Sequence, residues 1–244
     1  MSGGTFLRSV RLAPDAPRDG YPYELPAVQA LAGPRGLVLD QPVTFLVGEN
    51  GSGKSTLVEA LAVAAGFNPE GGSRSFRFST RASESRLGRH VVLTRAPATP
   101  STGFFLRAES FYNVASEIER LGADLLPAYG GTSLHERSHG ESFLDLATHR
   151  FGPRGLYLLD EPEAALSVPG NLALLRRMHD LVEGGSQFLI ATHSPILMAY
   201  PDALIYELSE DGCTTVAYED TEQYQLTRSF LEAPERFFRH LFTD

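Results

Sequence analysis

Two short segments, "GENGSGKST" at residues 48–56 and "LLDEP" at residues 158–162, place a lysine, hydroxyls and two adjacent carboxylates where phosphate chemistry needs them. Gly48, Gly53, Lys54 and Ser55 fit G-x-x-x-x-G-K-[ST] at each fixed position. In such a loop, spanned here by Gly48, Glu49, Asn50, Gly51, Ser52 and Gly53, successive backbone N–H groups turn inward around a β-phosphate, and the helix opening at Lys54, Ser55 and Thr56 adds its positive end. Lys54 supplies a point charge to the β- and γ-phosphates, and the Ser55 hydroxyl suits Mg²⁺. Asp160 closes an apolar run and suits the same metal through water, while Glu161 beside it suits the role of general base toward an attacking water. His193, in "IATHSP", ends a second apolar run where a γ-phosphate would accept its hydrogen bond.

These residues need a scaffold, and the sequence supplies one. "PVTFLV" (Pro42 to Val47) is a continuous β-branched run of the kind buried on both faces, and it leads through the glycine loop into the apolar helical stretch "LVEALAVAAGF". "GLYLLDEPE" and "SQFLIATHSP" repeat the buried-strand pattern, with the helix "NLALLRRMHDLVEGG" between them. Strand, helix, strand in that order predicts a parallel sheet with right-handed crossovers, with the strands ending at Asp160 and before His193 as neighbours. Residues 1–40 read as edge strands and turns, "GFFLRAESFYNVASEIERL" as a strand and then a helix, and "DALIYELS" with "TTVAYED" as a closing hairpin. The fold class expected is α/β, with a mixed, mostly parallel sheet flanked by helices.

Composition narrows the class. With 244 residues and 42% hydrophobic content, the chain reads as one globular domain, residues 1–244, carrying residues 68–103 as an inserted basic subdomain. The longest apolar stretch is too short to cross a bilayer and contains Glu59, and the first 20 residues hold no continuous apolar leader core. The expectation is therefore a cytoplasmic chain with no direct membrane insertion. A single cysteine, Cys213, excludes an internal disulfide and a multi-thiolate metal site. Net charge is −9, yet between Gly71 and Arg107 seven arginines (Arg74, Arg77, Arg81, Arg86, Arg89, Arg95 and Arg107) face one acid, Glu84. A basic lobe is attached to an acidic body.

One more segment, "SHGESF", reads locally as a helix start, with Ser138 as cap and Glu141 three residues on. Gly140 in the first turn costs roughly 1 kcal/mol against alanine, so something is expected to approach its backbone closely. Together "GENGSGKS", "LLDEPE", the following "AALS" and the strand-end "ATHSP" resemble the ATP-binding-cassette class of P-loop ATPases. That resemblance implies ATP and Mg²⁺ as ligands, ATP hydrolysis, and a homodimer with nucleotide sandwiched between subunits. It makes "RSHGE", Arg137 to Glu141, the signature segment, with Ser138 and the Gly140 backbone contacting the γ-phosphate held by another subunit. It also implies an adenine-stacking aromatic, for which Tyr21 or Tyr23 could serve, and a coupling glutamine. No glutamine occurs between Gln41 and Gln187, and Arg107, Glu109 or Ser110 are the candidates to replace it.

Three clients fit such an ATPase. "SRSFRFSTR" interleaves Arg74, Arg77 and Arg81 with Phe76 and Phe78, able to neutralise phosphates and stack bases of DNA or RNA. A transporter with membrane spans on another chain is the second, weakened by the missing glutamine. An ATP-gated switch docking a protein partner through "FLEAPERFFRHLF" is the third, although Phe237, Phe238 and Phe242 are expected rather to cap the domain's own core.

Overall fold

In the computed structural model the described residues are 5–73, 86–107, 139–210 and 212–242. Ten strands are described: β1 (Leu7–Leu12), β2 (Leu37–Val38), β3 (Val43–Gly48), β4 (Gly72–Ser73), β5 (Val91–Arg95), β6 (Thr102–Arg107), β7 (Gly155–Asp160), β8 (Gln187–Ala191), β9 (Leu204–Ser209) and β10 (Gly212–Thr215). Helices are α1 (Pro26–Gln29), α2 (Lys54–Ala65), α3 (His139–Arg150), α4 (Val168–Glu183), α5 (Pro195–Met198), α6 (Glu222–Glu232) and α7 (Pro234–Leu241). Seven strands form the main sheet in the order β10-β9-β3-β8-β7-β6-β4. Its five central strands run parallel, and the short β4 and β10 close the edges antiparallel.

Alternation within the buried strands divides the core. Leu46, Leu158 and Leu189 face α2, whose Leu57, Val58 and Leu61 pack against them together with the small antiparallel sheet β2-β1-β5. Phe45, Val47, Tyr157, Leu159 and Ile190 face the other way, toward Phe143 and Leu146 of α3 and Leu174 and Met178 of α4. Side chains of a strand alternate between faces, so a strand buried on both sides must be apolar at every position. β3 and β7 are, but for Thr44 and the terminal Asp160, and each fully buried Leu or Phe contributes roughly 1.5–3 kcal/mol.

The expected strand–loop–helix unit is present as β3 and α2, and β7 lies beside β8 as anticipated. Of residues 68–103, expected as an inserted subdomain, 74–85 lie outside the described residues, as do Arg74, Arg77 and Arg81 and the helix anticipated after β6. The flanks of that stretch belong to the two sheets: β4 pairs with β6, and β5 pairs with β1.

Two expectations change. The second strand of the closing hairpin stops at Thr215 rather than continuing through "TTVAYED", because Tyr218–Asp220 forms a 3-10 turn and the Tyr218 hydroxyl donates to the Pro195 carbonyl at 2.9 Å. The C-terminal phenylalanines do not cap the core: α6 and α7 fold back on one another, so Phe230 meets Phe237 and Phe238 at 5.4 and 6.0 Å between ring centroids. Phe242 stacks on Phe238 and stays 77% exposed, and no residue of α7 is buried.

Candidate functional site

The main sheet brings the singled-out residues to one edge. β3 ends at Gly48, whose φ of +134° and neighbours exclude a side chain, since a Cβ there would lie 2.1 Å from the Leu208 carbonyl oxygen of β9. Gly53 caps α2 in the left-handed region at φ +92°, with a would-be Cβ 3.0 Å from Leu25 and 3.2 Å from Ala27. The short helix α1 therefore braces the loop, and the Ala27 N–H donates to the Ser52 carbonyl at 3.1 Å. Lys54, only 4% exposed, folds back over the turn and donates from Nζ to the carbonyl oxygens of Gly48 at 2.9 Å and Glu49 at 2.8 Å. Burial pulls its pKa down, and Glu161, Asp160 and Glu163 oppose that pull. All three acids thus lie within electrostatic reach of the lysine.

Asp160, 5% exposed, is the last residue of β7, in register with Arg107 on β6 and Ala191 on β8. Glu161 leaves the strand in a left-handed conformation, φ +51° and ψ +52°, which costs a non-glycine residue roughly 1–2 kcal/mol. Its N–H donates to the Ala191 carbonyl at 2.9 Å, so the strained residue stays tied to the neighbouring strand while its side chain remains 41% exposed. Strain held at such a position aims the carboxylate out of the sheet toward solvent.

His193 stands two residues past β8. Its N–H donates to Glu163 Oε1 at 2.5 Å, and its Nε2 is 3.7 Å from Glu161 Oε1, beyond hydrogen-bond distance. Among the described residues, His193 Nε2 is buried without a hydrogen-bond partner, as is Glu163 Oε2. An unmet buried donor or acceptor costs about 1–3 kcal/mol, so the atom is poised for a ligand. Burial, then the Lys54 charge, lowers the His193 pKa against the pull of Glu161 and Glu163, which keeps the imidazole neutral at pH 7.

A cleft of about 250 Å³ lies over the loop, lined by Tyr21, Leu25, Asn50, Gly51, Gly53, Lys54, Ser55, Thr56 and Glu161. Tyr21 stands 79% exposed at its rim. Tyr23, the other aromatic considered, is buried, and its hydroxyl is 2.6 Å from His90 Nδ1, so it belongs to the core and not to the cleft. Among the described residues no cluster of three His, Cys, Asp or Glu side chains could hold a metal unaided. The Ser55 hydroxyl and the Asp160 carboxylate are hard oxygen donors suited to Mg²⁺ that keeps its waters and takes phosphate oxygens as well. The residues present fit that ion.

Arg137 and Ser138 of the signature segment lie outside the described residues. Gly140, in the first turn of α3, has a reason within its own chain: a Cβ there would lie 2.7 Å from the Ala165 carbonyl oxygen. The close approach expected at this glycine is made by the 3-10 turn Pro162–Ala165 that follows Glu161. Sequence reasoning missed two partnerships, Glu163 with the His193 amide and Glu59 with Arg107. The signals were there: a second glutamate in "DEPE" and a lone acid in an apolar helix.

Comparison with known proteins adds three findings. A family model described as an AAA domain matches residues 33–105. The cytochrome c biogenesis ATP-binding export protein CcmA of Rhodopseudomonas palustris strain BisB5 is 32% identical over 209 residues, covering 80% of this chain and 93% of that protein. Its counterpart in strain HaA2 is 27% identical over 205 residues, covering 79% and 92%. Among solved structures, a nucleotide-free ATP-binding cassette from an ABC transporter matches at TM-score 0.48 and 17% identity, covering 91% of this chain and 96% of that one. An SMC head domain from Thermotoga maritima matches at TM-score 0.40 and 15% identity, covering 74% and 91%.

Proposed function

The chain belongs to the ATP-binding-cassette family of P-loop ATPases and hydrolyses ATP, and from that premise we propose that it works as a homodimer with one ATP between each P-loop and the signature helix of the partner. The observation that carries the reading is the convergence of Lys54, Asp160, Glu161 and His193 at the carboxyl edge of three adjacent parallel strands. Loop amides from Gly48 to Gly53, with Glu49, Asn50, Gly51 and Ser52 between them, and the first turn of α2 (Lys54, Ser55, Thr56) cradle the phosphates. Lys54 exchanges its two carbonyl acceptors for phosphate oxygens, a swap that its hold on Gly48 and Glu49 prepares. Ser55 and Asp160 would hold Mg²⁺, which would supply positive charge to offset the phosphates. Glu161 accepts a proton from the attacking water, and His193 donates from its neutral ring to the γ-phosphate. Tyr21, exposed at the rim, is placed to stack the adenine.

In this two-fold arrangement each site combines Lys54 of one subunit with Ser138 and the Gly140 backbone of the other. Mixing Lys54→Ala with Ser138→Arg, each inactive alone, should restore about a quarter of wild-type ATPase after random exchange, because half the dimers are mixed and each carries one intact site. A mixture that stays inactive after tagged exchange is verified removes the shared site.

Two clients remain. The curated relatives are named as export proteins, which supports an ATPase subunit acting on the cytoplasmic side for a membrane partner on another chain; no described helix is long and apolar enough to cross a membrane. The arginines of residues 74–107, most of them within the stretch 68–103 read from the sequence as a basic subdomain, support nucleic acid instead.

A further inference from the structure

Glu59 is the one acid in helix α2, set among apolar residues five positions after Lys54. Its Oε2 accepts a hydrogen bond from Arg107 Nη1 at 2.6 Å, with both side chains largely shielded, 18% and 23% exposed. The same guanidinium turns its Nε toward Asp160 Oδ2, at 3.6 Å and outside hydrogen-bond range. Arg107 and Asp160 are register partners at the ends of β6 and β7, so the backbone fixes their separation. Burial raises the Glu59 pKa, and the charge and hydrogen bond of Arg107 work against that rise. One guanidinium thus serves two carboxylates, one on the phosphate-loop helix and one at the metal position.

We propose that Glu59 and Arg107 set the affinity of the site for its divalent cation, Arg107 serving as a stand-in countercharge for Asp160 and Glu59 holding it off so that the metal can take its place. The inference rests on the reading that Asp160 holds Mg²⁺. The distances give it direction: the guanidinium is bonded to Glu59 and stands back from Asp160. Without the Glu59 charge, Arg107 closes on Asp160 and competes with the metal. Without Arg107, Asp160 meets the metal with one competing cation fewer. A strap that merely joined α2 to β6 would make loss of either partner act in the same direction; a holder and a competitor act in opposite ones.

The test is direct titration of Mn²⁺, followed by electron paramagnetic resonance, into protein loaded with a non-hydrolysable ATP analogue. Glu59→Gln should weaken Mn²⁺ binding about three- to tenfold, the scale of one partly screened charge contact. Arg107→Met should tighten it by a similar factor, and the double variant should follow Arg107→Met because the competitor is gone. Thermal unfolding without metal shows that each variant is folded. If Arg107→Met is not, Arg107→Lys takes its place, with a smaller shift in the same direction. Shifts of the same sign in the two single variants, or no shift, overturn the proposal when Asp160→Asn still abolishes Mn²⁺ binding. Analogue-loaded wild-type protein that takes up no Mn²⁺ during the titration overturns both the proposal and the metal role of Asp160.

Discussion

His193 shows how a single side chain acquires its state from its surroundings. An isolated imidazole has a pKa near 6.5, and here burial and the nearby Lys54 ammonium both disfavour the cation. In the nucleotide-free protein, the His193 ring followed by NMR should titrate with a midpoint below 6.5. The unfolded chain then takes up its proton first, so this group makes stability fall as pH drops through 6.5 and has no effect above it. A midpoint above 6.5 would mean that Glu161 and Glu163 outweigh burial. At this scale the sequence was informative about residue type and address: a histidine at the end of a buried strand was singled out correctly for position. Its anchor, the Glu163 carboxylate on its own amide, joins residues 30 apart in the chain and has no local pattern.

At the scale of elements, the turn after β7 organises the site. Glu161 enters it in a left-handed conformation, Glu163 holds the His193 amide from it, and Gly140 packs on its last carbonyl. Helix propensity alone makes Gly140→Ala stabilising by roughly 1 kcal/mol. The 2.7 Å approach to Ala165 reverses the sign, because the obstacle is backbone and overpacking costs roughly 1–3 kcal/mol. Gly140→Ala should therefore lower the midpoint of urea unfolding and the ATPase rate together; a more stable variant would show that this glycine serves only the neighbouring subunit's nucleotide. The buried strands β3, β7 and β8 were legible because burial on both faces leaves unbroken apolar runs. The edge strands were less so: β10 ends just before a half-buried tyrosine, Tyr218, whose hydroxyl finds the Pro195 carbonyl, and no period in "TTVAYED" encodes that bond.

At the scale of the whole molecule, an acidic ATPase body carries an arginine-rich stretch. If the client is nucleic acid, wild-type protein with ATP and Mg²⁺ should bind DNA at low salt, and replacing Arg74, Arg77 and Arg81 with glutamine should flatten the slope of log affinity against log salt by up to about 3. Absence of binding at low salt counts against nucleic acid as the client. The described arginines show why charge counting alone falls short: Arg95 donates to the Ala64 carbonyl at 2.9 Å and Arg107 pairs with Glu59, both committed within the chain. The C-terminal aromatics teach the same lesson, since their apolarity predicted burial in the core and the α6–α7 hairpin satisfies it only in part. Hydrolysis itself turns on one carboxylate, Glu161. Steady-state hydrolysis of Mg²⁺-ATP by wild type and Glu161→Gln, with ATP binding measured in parallel, tests it most directly: loss of the general base should lower turnover roughly 10²-fold or more while ATP stays bound, whereas a Glu161→Gln variant that binds ATP and turns over at the wild-type rate would contradict the assignment of Glu161 as the base.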